Sequence, residues 1–332
     1  MPLSPEKQLL LTRVQEAIYA SGWGVVFENH EHPAFLRVFH DNESFRLLVY
    51  IWRLTPGGPP GVRPAGELRI QLTGVDPPLR LSSEFRTLLL GWHQPTGVFV
   101  GFDVTRRPNQ WGRSPSVQIR EGALQEASAR GFGIHRRATG GQGEIAVAFS
   151  PDAFIDYARR QSEIHEFADH TEEAPILEAA AGGRSVDLDR IAGSGRRQAV
   201  RTVLERIGQQ NFRLRILAAY RHHCAVCQVQ LDLVSAAHIV PVPAGGDNAT
   251  DNGLALCYLH HQAYDRALIG ITPEYRIELS QKAEGRLRRL ARIDGWANFR
   301  DNLRRNLLLP TRIPDHPNPD RLREGLQLRG WG

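Results

Sequence analysis

Apolar positions recur with two different periods along the first half of the chain. Leu9, Leu10, Val14 and Ile18 repeat at helical spacing, which predicts a helix over residues 8–20. Residues 46–52, 67–73, 97–104 and 144–148 instead alternate apolar with polar or β-branched side chains and predict strands. Short helices are expected at residues 120–130 and 151–160, the second with Pro151 in its first turn, where a missing N–H costs nothing. Residues 55–66 (TPGGPPGVRPAG) are so rich in Pro and Gly that they are expected to form a loop outside any helix or strand. No internal repeat is visible. The pattern predicts an α+β protein whose first domain, residues 1–162, mixes helix and sheet.

A compositional break follows. Residues 163–178 hold six acids and no Lys or Arg, and residues 179–195 become rich in Ala, Gly and Ser. The stretch 163–195 therefore reads as an interdomain linker with room for one short helix. Charge then reverses, with seven arginines against Glu205 alone between residues 196 and 221. A second domain is expected over residues 196–309, followed by a proline-containing tail, 310–332, draped over a surface.

Composition narrows the function classes. A length of 332 residues suits two domains, and 41% hydrophobic with 23% charged residues excludes a disordered or fibrous chain. No run of about 18 uncharged apolar residues exists and no basic start precedes an apolar segment, so a cytoplasmic protein without membrane contact is expected. All but two of the 41 basic residues are arginine, the lysines being Lys7 and Lys282. The planar arginine fork suits phosphate and guanine edges. A GC-rich genome would produce the same bias, so a pI near 9.4 is compatible with nucleic acid without establishing it.

The chemistry-bearing residues concentrate in the second domain. Cys224-x-x-Cys227 and Cys257-x-x-His260 are two half-sites with equal gaps, and together they form a Cys₃His set suited to structural zinc. Between the halves stand Ala236-Ala237-His238-Ile239-Val240-Pro241, then Gly245-Gly246-Asp247-Asn248, then Asn252-Gly253-Leu254. His260-His261-Gln262-Ala263-Tyr264-Asp265 follows. A neutral imidazole near pH 7 can deprotonate water, and His238 closes a strand-like run that would aim it. His261 and Asp265 are four apart on a helical pattern, hence on one face, where they could share a divalent metal. Magnesium or manganese suits such donors.

This order of residues resembles the HNH endonuclease family, whose core is the ββα-metal fold, here expected to be stapled by the Cys₃His zinc. The resemblance covers about residues 196–272 and places its three motif positions at His238, Asn252 and His261 as catalytic residues. It allows Asn252 two uses, as a metal ligand through its carbonyl oxygen or as a brace that points His238 at the water. Many members carry Asp or His immediately before the base; Ala237 stands there, and Asp265 is expected to supply the missing carboxylate. Arg206, Arg213 and Arg215 upstream form a candidate phosphate track. His222 and His223 are expected to face solvent or phosphate, and Arg286, Arg288, Arg289 and Arg292 a solvated helix face.

In the first domain the strongest feature is the arginine-rich segment 101–119. Arg106, Arg107 and Arg113 could reach phosphates or base edges and Ser114 and Ser116 phosphate oxygens, while Trp111 could stack or wedge between base steps. A structural Trp in an ordinary surface loop is the competing explanation. Arg136 and Arg137 extend the patch. A reader domain followed by an HNH core resembles the Mcr-type modification-dependent restriction endonucleases, some of which bind phosphorothioate DNA and others methylated cytosine. Sulfur is larger and less hydrated than oxygen and favours a shallow apolar dimple beside cations, which Arg107-Pro108 and Ser114-Pro115-Ser116 could form. A flipped methylcytosine needs a deep aromatic pocket, whose glycine-rich signature is absent. The expected function is thus hydrolysis of modified double-stranded DNA, phosphorothioate first, by a homodimer. The alternatives are a methylcytosine-dependent or ordinary sequence-specific nuclease or phage-defence effector, and a non-cleaving DNA-binding protein, which Ala237 motivates.

Overall fold

The computed structural model describes residues 3–57, 66–106, 115–139, 142–231 and 233–331. The chain divides into two units, residues 1–207 and 208–332.

The first unit opens with helix α1 (Pro5–Ala20), started by the Ser4 side chain accepting the Lys7 N–H and by a proline in the first turn. Strands β1 (Gly24–Phe27), β2 (Ala34–His40) and β3 (Glu43–Arg53) follow, then the two-residue β4 (Thr55–Pro56), β5 (Glu67–Gln71), β6 (Arg86–His93), β7 (Val98–Phe102) and β8 (Ser116–Arg120). Helix α2 (Glu121–Arg130), strands β9 (Phe132–Thr139) and β10 (Gln142–Phe149), and helices α3 (Phe154–Glu166) and α4 (Ala174–Ala181) complete it. Among the described residues, β1-β2-β3-β6-β7-β10-β9 form a seven-stranded sheet, antiparallel except where β3 runs parallel to β6. Leu47, Val49 and Ile51 of β3 enter the core shared with α1, α3 and α4, while Leu48, Tyr50 and Trp52 enter a second core with β5, β8 and α2. Burial on both faces explains the near-continuous apolar run of β3.

Two expectations need correction here. Residues 163–195 are not a linker: Ile164, Phe167, Ile176, Leu177, Ala180, Ala181 and Ile191 are buried in the first unit's core. Most of their acids face outward, while Glu166 and the largely buried Glu173 each meet the buried Arg196 at 2.8 Å. Helix α5 (Ser194–Ala219) then runs from the first unit into the second, so the boundary falls inside a helix and not at residue 195. The proline-rich segment begins in a strand, since Thr55 and Pro56 pair with Arg69 and Leu68 at a sheet edge that needs no donor from Pro56. Residues 58–65 lie outside the described residues.

The second unit is built on β11 (Val234–His238), its antiparallel partner β12 (Gly253–Cys257) and helix α6 (Tyr258–Asp265), a ββα arrangement. The hairpin β13 (Ile269–Ile271) and β14 (Ile277–Leu279) follows, then α7 (Gln281–Arg289), α8 (Trp296–Asp301) and α9 (Pro319–Leu328). The tail is not draped over a surface. Leu322 of α9 is fully buried in the second core, and Gly325 packs against Ile239. Among the described residues no helix is long and apolar enough to cross a membrane.

Candidate functional site

The Cys₃His set converges. The ligand atoms of Cys224, Cys227, Cys257 and His260 all lie within 4.8 Å of one another. Cys227 Sγ and Cys257 Sγ are 3.8 Å apart, and His260 Nδ1 lies 3.6 Å from Cys224 Sγ and 3.1 Å from Cys257 Sγ. Tetrahedral zinc with Zn–S of about 2.3 Å and Zn–N of about 2.0–2.1 Å places two sulfurs about 3.8 Å apart and a sulfur and a nitrogen about 3.6 Å apart. The donors therefore fit the ion. Burial pushes the Cys257 thiol up to about 12 and raises that of Cys227, while hydrogen bonds from His260 and the backbone bring Cys224 down to about 6 against the same burial. Three packed thiols cannot all ionise without a cation among them, which a dication supplies.

His238 ends β11 directly opposite Gly253. A Cβ on Gly253 would fall 2.1 Å from Ile216 Cδ1 and 2.8 Å from Phe212 Cζ, so only glycine lets α5 approach. Phe212 then lies flat on the His238 ring, centroids 3.9 Å apart and 7° between planes. His238 Nε2 meets Asn248 Oδ1 at 2.9 Å. A carbonyl oxygen only accepts, so in the neutral ring Nε2 carries the proton and Nδ1 the lone pair.

Asn252 is fully buried. Its Oδ1 accepts the Val240 N–H at 2.9 Å, and its Nδ2 donates to the carbonyls of Val240 at 3.0 Å and Asp247 at 2.8 Å. Both Nδ2 hydrogens and one lone pair of Oδ1 are committed to backbone in a fully buried side chain, an arrangement that favours the brace over the metal-ligand use. Gly246 makes room for this brace, since a Cβ there would sit 1.9 Å from the Val240 carbonyl oxygen.

His261 and Asp265, one turn apart on α6, meet with Nε2 3.3 Å from Oδ2. Two donors at about 2.0–2.1 Å from one octahedral ion stand about 3.0 Å apart, so the pair fits a shared divalent metal. His261 Nδ1 lies 2.8 Å from Ser235 Oγ, a partner that holds the ring and leaves Nε2 toward the carboxylate. Burial holds the His261 imidazole below its ordinary value; Asp265 opposes this, and Arg329 and His238 add to it. Ala237 is buried, so the residue before His238 offers no donor.

The structure separates the expected DNA contacts. Arg106 is turned inward onto Asp103 at 3.1 Å and Asp169 at 2.6 Å, and so does not offer a free guanidinium. Ser116 Oγ accepts from the Gln118 amide at 3.1 Å. Arg107, Pro108, Trp111, Arg113 and Ser114 lie outside the described residues. Arg136 pairs with Glu178 and Arg137 with Gln118. Arg206 belongs to the first unit, where it pairs with Asp156. Arg213 and Arg215 are exposed, and Arg215 also donates to the Asn248 carbonyl. Ser235, Asn248 and Arg329 were not foreseen: each reaches the site through pairing or folding over a distance that no local spacing encodes.

Residues 224–272 match the family model described as HNH endonuclease, and residues 45–158 match the model described as methylase-associated X1. The chain is similar to a solved structure titled "Modification dependent TagI restriction endonuclease", with 13% identity, a TM-score of 0.29, and coverage of 84% of this chain and 81% of that one. No curated protein matches the chain.

Proposed function

Since the second unit carries an HNH endonuclease domain and the protein is a nuclease, we propose that it hydrolyses phosphodiester bonds of double-stranded DNA carrying a chemical mark. The observation that supports this reading best is the pairing of two features on one ββα element. His238 has Nε2 spent on Asn248 and its Nδ1 lone pair available, and His261 and Asp265 stand 3.3 Å apart beside it.

In this reading His238 Nδ1 takes the proton of the attacking water, a contribution of roughly 10²–10⁴ in rate. The stack on Phe212 and the bond to Asn248 fix the ring plane, and Asn252 holds the loop that carries Asn248. His261 Nε2 and Asp265 Oδ2 would hold a divalent cation, magnesium or manganese by donor type. When bound there, such an ion supplies Lewis-acid stabilisation of the phosphoryl oxygens and of the leaving oxygen. Zinc bound at the Cys₃His set would keep β12 and α6 in register with the Cys224 knuckle. Arg213 and Arg215 contact phosphate.

Mark dependence is supported by the domain order, a separate N-terminal unit ahead of a small nuclease core. Phosphorothioate is the mark proposed first, on the arginine, proline and serine content of residues 106–116. Methylated cytosine is the second reading, favoured by the methylase-associated description of the N-terminal family match. A double-strand cut by a chain with one such site calls for two copies, and a homodimer is part of the proposal. The test incubates the protein and manganese with matched plasmids that are unmodified, cytosine-methylated or phosphorothioated. Cutting confined to the phosphorothioated plasmid supports the first reading, cutting confined to the methylated one supports the second, and equal cutting of all three overturns mark dependence.

A further inference from the structure

Helix α9 lies outside both segments that match a family model, yet it grips the site at two places. Just beyond its last turn, the Arg329 side chain is only 9% exposed. Its Nη1 donates to the Ile239 carbonyl at 2.7 Å and to Gly325 at 3.1 Å, and Nη2 donates to the His238 carbonyl at 3.2 Å. The guanidinium covers the Tyr264 ring 4.0 Å from its centroid, and Nη2 stands 3.7 Å from Asp265 Oδ1. Near the helix start, Arg321 holds both carboxylate oxygens of Asp247, at 2.6 and 3.0 Å, next to Asn248 in sequence. The Asn318 N–H donates to the Asp251 carbonyl at 2.9 Å. Gly325 permits this seat, because a Cβ there would lie 2.8 Å from the Ile239 oxygen.

Arg329 spends its bonds on the carbonyls of His238, which ends β11, of Ile239 just after it and of Gly325, and reaches only Oδ1 of Asp265 while Oδ2 faces His261. We propose that Arg329 is a positioning residue of the nuclease site: it fixes the backbone that aims His238 and turns Asp265 so that Oδ2 joins His261 Nε2. This rests on the nuclease reading. The planar fork matters, since a lysine ammonium is a point donor that cannot span both carbonyls in the same way. The HNH motif alone is then an incomplete site, finished by a helix more than fifty residues downstream.

The test uses the full zinc-loaded chain with Arg329→Ala and Arg329→Lys. Mn²⁺ binding without DNA is followed by electron paramagnetic resonance of the free ion, and kcat and KM are measured on a cleavable plasmid, with and without added guanidinium. Outer-sphere partners of metal ligands are worth roughly 10–100-fold in metal affinity or activity. R329A is expected to lose that much in Mn²⁺ affinity and in kcat with KM nearly unchanged, guanidinium is expected to restore part of kcat, and R329K to recover little. If R329A loses its zinc, Arg329→Gln, which keeps an amide donor without the charge, replaces it in the same comparison. Mn²⁺ affinity equal to the parent's in the folded variants, or a loss that guanidinium leaves untouched, overturns the proposal. A parent chain that cuts no DNA counts against the nuclease reading, and the Mn²⁺ arm still decides the role of Arg329.

Discussion

Asn252 offers a substitution whose two readings predict opposite signs. As a brace, its side chain holds three backbone bonds at 2.8–3.0 Å inside a fully buried site. Asn252→Ala removes all three, at about 1 kcal/mol each, and leaves the Val240 N–H without its partner. Some of that is regained by relaxation, so the second unit should lose about 2–4 kcal/mol. Asn252→Asp keeps one acceptor but turns oxygen toward the Val240 and Asp247 carbonyls, where donors stood, and buries a carboxyl with no cation. It should destabilise at least as much as alanine. As a metal ligand, the same residue would bind a divalent ion more tightly when changed to a carboxylate. The assay is urea unfolding of both variants, with the second unit's transition identified by zinc release to a chromophoric chelator, and a Mn²⁺ titration under native conditions. A near-parental transition together with tighter Mn²⁺ binding in N252D would refute the brace.

Three further outcomes follow from the geometry. Cys257→Ser should release zinc and melt the second unit, since metal binding there is folding energy; differential scanning calorimetry of the full chain should show that transition lost while the first unit's remains. Asp265→Asn should weaken Mn²⁺ binding without zinc loss, because it removes the charged donor 3.3 Å from His261 and leaves the Cys₃His set alone; isothermal titration checks it. Lys7 gives a pH prediction. Its ammonium is held by His32 at 3.0 Å and by the Ile51 carbonyl, 4.3 Å over the Trp52 ring, and burial lowers its pKa to about 7 against the opposing effect of Glu6. The unfolded chain thus binds more protons between about pH 7 and 10.5, and stability gains a rising component across that window. Denaturation midpoints against pH should show this slope in the parent and its reduction in Lys7→Met.

What the sequence makes legible is what short spacing encodes. Cys224 and Cys227, Cys257 and His260, and His261 and Asp265 each sit within one knuckle or helical turn, and all three pairs come together as their spacing implies. The helix at Pro5–Ala20 and the inner strands β3, β7 and β10, with their dense apolar runs, are legible for the same reason, whereas the inner strands β2 and β6 are not among those the pattern predicts. Edge strands such as β1 and β9 are not, because exposed positions such as Val26 and Arg136 blur their alternation. Acidity hid the buried helices of residues 163–195: Ile164, Phe167 and Ala168, then Ile176, Leu177, Ala180 and Ala181, keep helical spacing beneath the charged face. Arg329 meets Ile239 across ninety residues, and Arg106 finds Asp169 across sixty-three, contacts that only the tertiary fold creates.

The central claim is that His238 deprotonates the nucleophile beside a divalent ion held by His261 and Asp265. Its most direct test is Mn²⁺-dependent single-turnover cleavage of the responsive plasmid by the parent and by His238→Ala, with band-shift affinity for the same DNA measured in calcium. The account predicts a loss of roughly 10²–10⁴ in rate for the variant with DNA affinity kept. Equal rates from the two proteins would contradict it.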